Sequence, residues 1–196
     1  LSNQNRTSLG IVISGLPAVG KTTIAQELAN EFNFNLYNGG DILKMLASEK
    51  GYEISGNDWW DTNEAKRFMS ERRSNPHFDK EVDQKLVELV KKGNVVITSY
   101  TLPWLAPQSL KFWLRGSLNN RAKRMANRDS IAVDAAVEII QERDSENADI
   151  YRKLYGIEFG SDLSVFDFIL NTDLLCLDSL IEISKSIIRE ITPLVG

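Results

Sequence analysis

Short apolar runs alternate along the chain with stretches of helical spacing. Leu9-Gly10-Ile11-Val12-Ile13-Ser14 reads as a buried first strand over about Gly10 to Ser14. Ile24, Leu28 and Phe32 then fall on one face and predict a helix from about Lys21 to Phe32. Asn35-Leu36-Tyr37 is a short second strand, and Ile42, Leu43 and Leu46 after Gly39-Gly40-Asp41 suggest a second helix. The stretch from Gly51 to Asn75 is polar, with Trp59-Trp60 inside it. From Asp79 to Lys92 the residues Val82, Leu86, Leu89 and Val90 trace an amphipathic helix that Gly93 ends. Asn94 to Thr98 and Leu110 to Leu114 read as buried strands, and two helical segments follow, about Leu118 to Asn127 and Val133 to Ile150. Val165 to Leu170 is the last predicted strand, with Asp167 inside it, and Ser179 to Glu190 closes as an amphipathic helix.

Strands that alternate with helices predict an α/β fold, a parallel sheet with helices on both faces. In such a sheet a ligand sits at the carboxyl ends of the strands. The chemistry should therefore lie just after each strand.

The first strand runs into Gly15-Leu16-Pro17-Ala18-Val19-Gly20-Lys21-Thr22, a G-x-x-x-x-G-K-T phosphate-binding loop that opens a helix. Its glycines let successive N–H groups face one concavity, and the helix adds free N–H groups and its positive dipole end. Lys21 is expected to reach the outer phosphates of a nucleotide, the Thr22 hydroxyl to ligate Mg²⁺, and Gly15 through Thr23 to form the nucleotide cradle. After the second strand come Gly40-Asp41 and, one turn on, Lys44. At a helix start Asp41 reads first as an N-cap, a role compatible with contact to a second substrate. After the third strand comes Thr98-Ser99-Tyr100, so Thr98 stands where many phosphate-loop proteins carry an acid that holds magnesium waters. No apolar strand ends cleanly in Asp or Glu. After the fourth strand lies a basic run, Arg115, Arg121, Lys123, Arg124 and Arg128, with Arg143, Arg152 and Lys153 further on. Such a run reads either as a solvated helix face or as a cationic lid over phosphates.

Bulk properties narrow the classes. The chain has 196 residues, enough for one sizeable core, and a formal net charge of −4. The acidic balance and the absence of a base-stacking pattern argue against nucleic acid as a partner. No stretch is long enough to span a membrane. Cys176 is the single cysteine, which excludes an internal disulfide framework and fits a reducing, cytoplasmic setting. Within Leu174-Leu175-Cys176-Leu177 it reads as core, not as a nucleophile. Residues 1–8 read as a disordered tail and 9–196 as a single domain, by default a monomer.

These residues together resemble the archaeal-type cytidylate kinases, a branch of the nucleoside monophosphate kinases, over about Leu9 to Ile188. The resemblance rests on Ile13-Ser14-Gly15 through Thr23, Gly40-Asp41-Ile42, Asn75 through Asp83 as a Pro-x-x-Asp-x-x-x-Asp element, and Gly93-Asn94-Val95-Val96 with Trp104. It continues in Arg121-Ala122-Lys123-Arg124 with Arg128 and Arg143, Tyr151-Arg152-Lys153-Leu154-Tyr155-Gly156-Ile157, and Asn171-Thr172-Asp173. It implies a three-layer α/β/α P-loop kinase fold with a central five-stranded parallel sheet, an acceptor-binding region over 41–92 and a lid over 124–157. It implies transfer of the γ-phosphate of ATP to CMP or dCMP with Mg²⁺. Lys21, Arg124, Arg128 and Arg143 would be catalytic, and Gly40, Asp41, Lys44, Ser99 and Tyr100 would bind the acceptor.

Three positions where the family carries arginine differ here: Lys44, Tyr100 and Ile150. The family's acid at Thr98 is also absent. Lysine keeps charge but not the bidentate fork, and losing one such contact to a phosphate costs about 1.5–3 kcal/mol. Arg152, or Arg72 and Arg73, are candidates to compensate. These departures leave two other readings open: a nucleotide-binding protein with weak or no kinase activity, and a kinase with another small acceptor such as AMP. Trp59 and Trp60 read first as helix packing, with a base platform or partner contact as the alternative. A signalling GTPase is disfavoured, since no Asn-Lys-x-Asp element occurs.

Overall fold

The computed structural model describes residues 9–54, 63–74 and 77–191, apart from the side chains of 65, 66, 69 and 72–74. Residues 1–8, Trp59, Trp60, Asn75 and Pro76 lie outside the described residues, as do the side chains of Arg72 and Arg73. In chain order the described elements are β1 (Gly10–Gly15), α1 (Lys21–Phe32), β2 (Asn35–Asn38), α2 (Gly39–Glu49), α3 (Asn63–Ser74) and α4 (His77–Lys92). They continue with β3 (Val95–Thr98), α5 (Leu102–Leu105), β4 (Leu110–Arg115), α6 (Leu118–Asp129), α7 (Val133–Tyr155), β5 (Phe168–Asn171) and α8 (Leu177–Ile191).

The five strands pair in parallel in the order β2-β3-β1-β4-β5. Side chains alternate across β1 and so build two cores. Val12 packs with Val95 and Ile97 against α2, α4 and α5, where Leu46, Leu86 and Leu102 are buried. Ile11 and Ile13 pack with Val96, Phe112 and Leu114 against α1 and α8, through Leu28 and Ile188. Helices thus cover both faces of the sheet, the expected three-layer α/β kinase architecture. From β1 the chain goes to the edge strand β2, returns to β3 beside β1, and then crosses to β4 and β5 on the other side, so the carboxyl end of β1 lies at the switch point where such sheets open a ligand crevice. Among the described residues no helix is long and apolar enough to cross a membrane.

Several boundaries differ from the periodicity. The last strand starts at Phe168, not Val165. Phe166 closes a turn on the Leu163 carbonyl and packs its ring on Trp113 and Trp104, which takes it out of the sheet. Asp167 therefore precedes the strand, where its carboxylate accepts from the Lys111 amide at 2.7 Å. Helix α7 runs on to Tyr155 because the chain first turns left-handed at Gly156, with φ of 69°. Helix α2 starts at Gly39, capped by Asn38 and not by Asp41.

Candidate functional site

Residues 16–20 wrap the amino end of α1 at that switch point. Gly15 has φ of 147°, and a Cβ there would sit 2.5 Å from the Leu114 carbonyl oxygen, so only glycine lets the loop leave β1 against β4. Gly20 has φ of 95°, and no atom lies within 4 Å of where a Cβ would be. Ala18 also adopts positive φ, a strained conformation of the kind held at ligand sites. The first turn of α1 holds no acid, and it has no side-chain cap, unlike α2 and α6, which Asn38 and Ser117 cap. Its orphan N–H groups are left for an anion.

Lys21 folds back over this loop. Its ammonium donates to the Gly15 and Leu16 carbonyls, both at 2.9 Å, and lies 4.9 Å from the centre of the Tyr100 ring. Burial, with the nearby charges of Arg121 and Arg143, lowers its pKa to about 7. Burial also raises the Tyr100 phenol, which stays protonated as a neutral donor.

Helices α6 and α7 form the side facing the loop. Arg121 is buried, and its guanidinium forks onto Asp144 at 3.0 and 2.7 Å while reaching the Pro17 carbonyl at 3.4 Å. It clasps α6 to α7 and both to the loop. Arg124 donates to the Thr172 hydroxyl at 3.0 Å and the Thr172 carbonyl at 2.6 Å. A Cβ at Gly116 would stand 2.9 Å from that hydroxyl, so glycine keeps this contact open. Arg128 pairs with neighbouring Asp129, and Arg143 is exposed with no hydrogen bond or ion pair to a described residue.

A single cavity of about 1080 Å³ gathers these groups. The loop from Pro17 to Thr23 lines it with Arg124, Arg128 and Arg143 on one side, and with Asn38, Gly40, Thr98, Ser99 and Tyr100 on the other. Asp41 and Lys44 are not on its lining. Asp41 instead turns back on Asn38, whose Oδ1 accepts from the Asp41 amide at 3.0 Å. Arg124, Arg128 and Arg143 are the arginines that line it among the described residues, and all lie on α6 or α7. Arg152 faces away, pairing with Glu158.

The cavity also collects residues that strand-end reasoning missed. Asp79 and Asp83 line it from α4, and Tyr151 from α7. All three lie within the motifs that carry the resemblance, which assigns them no role, and the i, i+4 spacing of the two acids puts both on one helix face, but nothing local says that the face meets β3 and α7. Among the described residues no three His, Cys, Asp or Glu side chains cluster to hold a metal. Mg²⁺ takes few protein oxygens and completes its shell with phosphates and water, and the exposed Thr22 hydroxyl on the cavity lining is an available oxygen. Cys176 is exposed on the cavity wall and is not core. The apolar run around it is the turn entering α8, with Leu174 also in solvent, and a hydrogen bond with Ser179 lowers the thiol's pKa.

Comparison with known proteins follows the same lines. The sequence profile of the cytidylate kinase-like family matches residues 10–174. A cytidylate kinase of Pyrococcus horikoshii is 32% identical over 189 residues, covering 96% of this chain and 92% of that protein. One from Pyrococcus furiosus is 33% identical over 186 residues, with 94% and 91% covered. A crystal structure of shikimate kinase from Bacteroides thetaiotaomicron is similar in fold, with a TM-score of 0.56 at 18% identity, over 93% of this chain and 97% of that one.

Proposed function

As the chain belongs to the cytidylate kinase-like family of phosphotransferases, we propose that it is an ATP-dependent nucleoside monophosphate kinase that phosphorylates CMP or dCMP. The observation that carries this reading is the one cavity that joins the phosphate loop, three lid arginines and the end of β3. An oxygen of the acceptor's phosphate attacks the γ-phosphorus, the bond to the β,γ-bridging oxygen breaks, and ADP leaves with that electron pair. The loop N–H groups and the free amino end of α1 hold the β- and γ-phosphates. Lys21 exchanges its two carbonyl partners for phosphate oxygens and, once charged, stabilises the transferring group. Arg124, Arg128 and Arg143 supply the remaining positive charge from the lid. The Thr22 hydroxyl would help to hold Mg²⁺, which when bound would supply charge neutralisation for the phosphates. Closure of 124–157 over 41–92 excludes water, so that the acceptor receives the phosphoryl group.

The test is ADP release across CMP, dCMP, UMP and AMP with saturating ATP and Mg²⁺. CMP or dCMP should give the highest kcat/KM, and no turnover with any of the four overturns the reading. A second reading, a different small acceptor, is supported by the neutral Tyr100 phenol and by the absence of Asp41 and Lys44 from the cavity lining. Its mark is a preference for AMP or another acceptor in the same panel.

A further inference from the structure

Asp83 stands out because three distant parts of the chain meet on one buried carboxylate. Only 8% of the residue is exposed. One oxygen accepts the Thr101 hydroxyl at 2.6 Å, and the other accepts the Tyr155 hydroxyl at 2.6 Å. Hydroxyl bonds to a carboxylate at this distance are the strong, charge-assisted kind. Thr101 belongs to the turn after β3, and Tyr155 is the last residue of α7. Asp83 itself lies on α4, inside the acceptor region, and lines the cavity.

Both arms lead to the same place. Thr101 is 3% exposed, and its amide is held by the Ser99 hydroxyl at 3.3 Å, which also accepts from the Leu102 amide at 3.1 Å. Tyr100 is fixed between Ser99 and Thr101. From the other arm, Tyr155 stands one helical turn beyond Tyr151, whose ring lies 6.0 Å from that of Tyr100. Tyr100 in turn covers the Lys21 ammonium at 4.9 Å. Asp83 is thus linked to Tyr100, and through it to Lys21, by two short chains of contacts, and to the carboxyl end of α7 through Tyr155.

We propose that Asp83 is a positioning residue that couples occupancy of the acceptor side to the phosphate loop and lid, through Thr101 and Tyr155. An acceptor seated against α4 shifts the carboxylate, and the two hydroxyls carry that shift to the ring that covers Lys21 and to the carboxyl end of α7. The coupling is reciprocal: acceptor tightens the donor nucleotide by the same factor as donor tightens acceptor. This inference rests on the kinase reading above.

The test uses the full chain and a non-hydrolysable ATP analogue with Mg²⁺. Its dissociation constant is measured by calorimetry with and without the monophosphate that the wild type turns over best. The wild type should bind the analogue about fivefold or more tightly with acceptor present. In Tyr155→Phe and Thr101→Val that ratio should fall toward one, while in Tyr155→Phe, which is off the cavity lining, affinity for the analogue alone changes less than about twofold. Thr101→Ser keeps the hydroxyl and should restore the ratio that Thr101→Val loses. A purely structural role would lower the melting temperature and leave the ratio intact, and that result overturns the proposal, as does a wild-type ratio of one in an enzyme that turns over. No turnover with any acceptor instead overturns the functional reading, and the coupling with it.

Discussion

Lys21 carries the sharpest consequence at the scale of a single residue. In the free protein its pKa is lowered to about 7 by burial and by Arg121 and Arg143, whereas an unfolded lysine titrates near 10.5. Between these values the unfolded chain holds more protons than the folded one, so stability rises with pH from about 7 toward 10.5. Below about 7 the ammonium is charged in both states and its burial penalty is fully present. A Lys21→Met variant should therefore be more stable than the wild type at pH 6.5 in urea denaturation, and its advantage should shrink by pH 9. Phosphates reverse the preference, because an anion beside the ammonium favours the charged form. Binding of the ATP analogue should then take up protons at pH 8, read from calorimetry in buffers of different ionisation enthalpy. The variant should lack that uptake, and an equal uptake in both would show that Lys21 stays neutral beside the nucleotide.

At the scale of elements, the pair α6–α7 is held as a unit by Arg121 and Asp144, and the same guanidinium touches the loop at Pro17. Ala122, Met125, Ala126, Ala136 and Ile140 pack beneath it, so the ion pair sits against an apolar seam between the two helices. Removing one partner leaves a buried charge without its counter-charge, which costs about 3–5 kcal/mol. Asp144→Leu alone should lower unfolding free energy by that order, since it strands the buried Arg121 guanidinium, and Arg121→Met should lower it less, since the Asp144 it strands is the more exposed partner. The double variant should recover much of the loss, because two apolar side chains of similar size replace the pair without stranding a charge. Urea denaturation of the three variants measures this as a coupling energy, and strict additivity would show that the two residues act separately.

Over the whole molecule, the sheet and the phosphate loop were legible because both are local signals. β1, β3 and β4 are apolar runs buried on both faces, and the loop is one contiguous motif between a strand and a helix. The errors lie where tertiary contacts outweigh local pattern: Phe166 drawn to Trp113 moved the last strand, and Cys176 sat in an apolar run that turned out to be a solvent-facing turn. The site was legible where it follows strand ends and illegible where α4 and α7 meet across it, since Asp83 and Tyr155 are 72 positions apart. That division bears on motion. The cavity cations Arg124, Arg128 and Arg143 belong to α6 and α7, whereas the residues facing them belong to the sheet edge and α4. Neither set alone encloses a phosphoryl group in flight, so closure should need both substrates. Amide hydrogen exchange over 118–157 should slow modestly with the ATP analogue, little with acceptor, and most with both together. Full protection by the analogue alone would mean that the lid closes without an acceptor, and such an enzyme should hydrolyse ATP in its absence at a rate comparable to transfer.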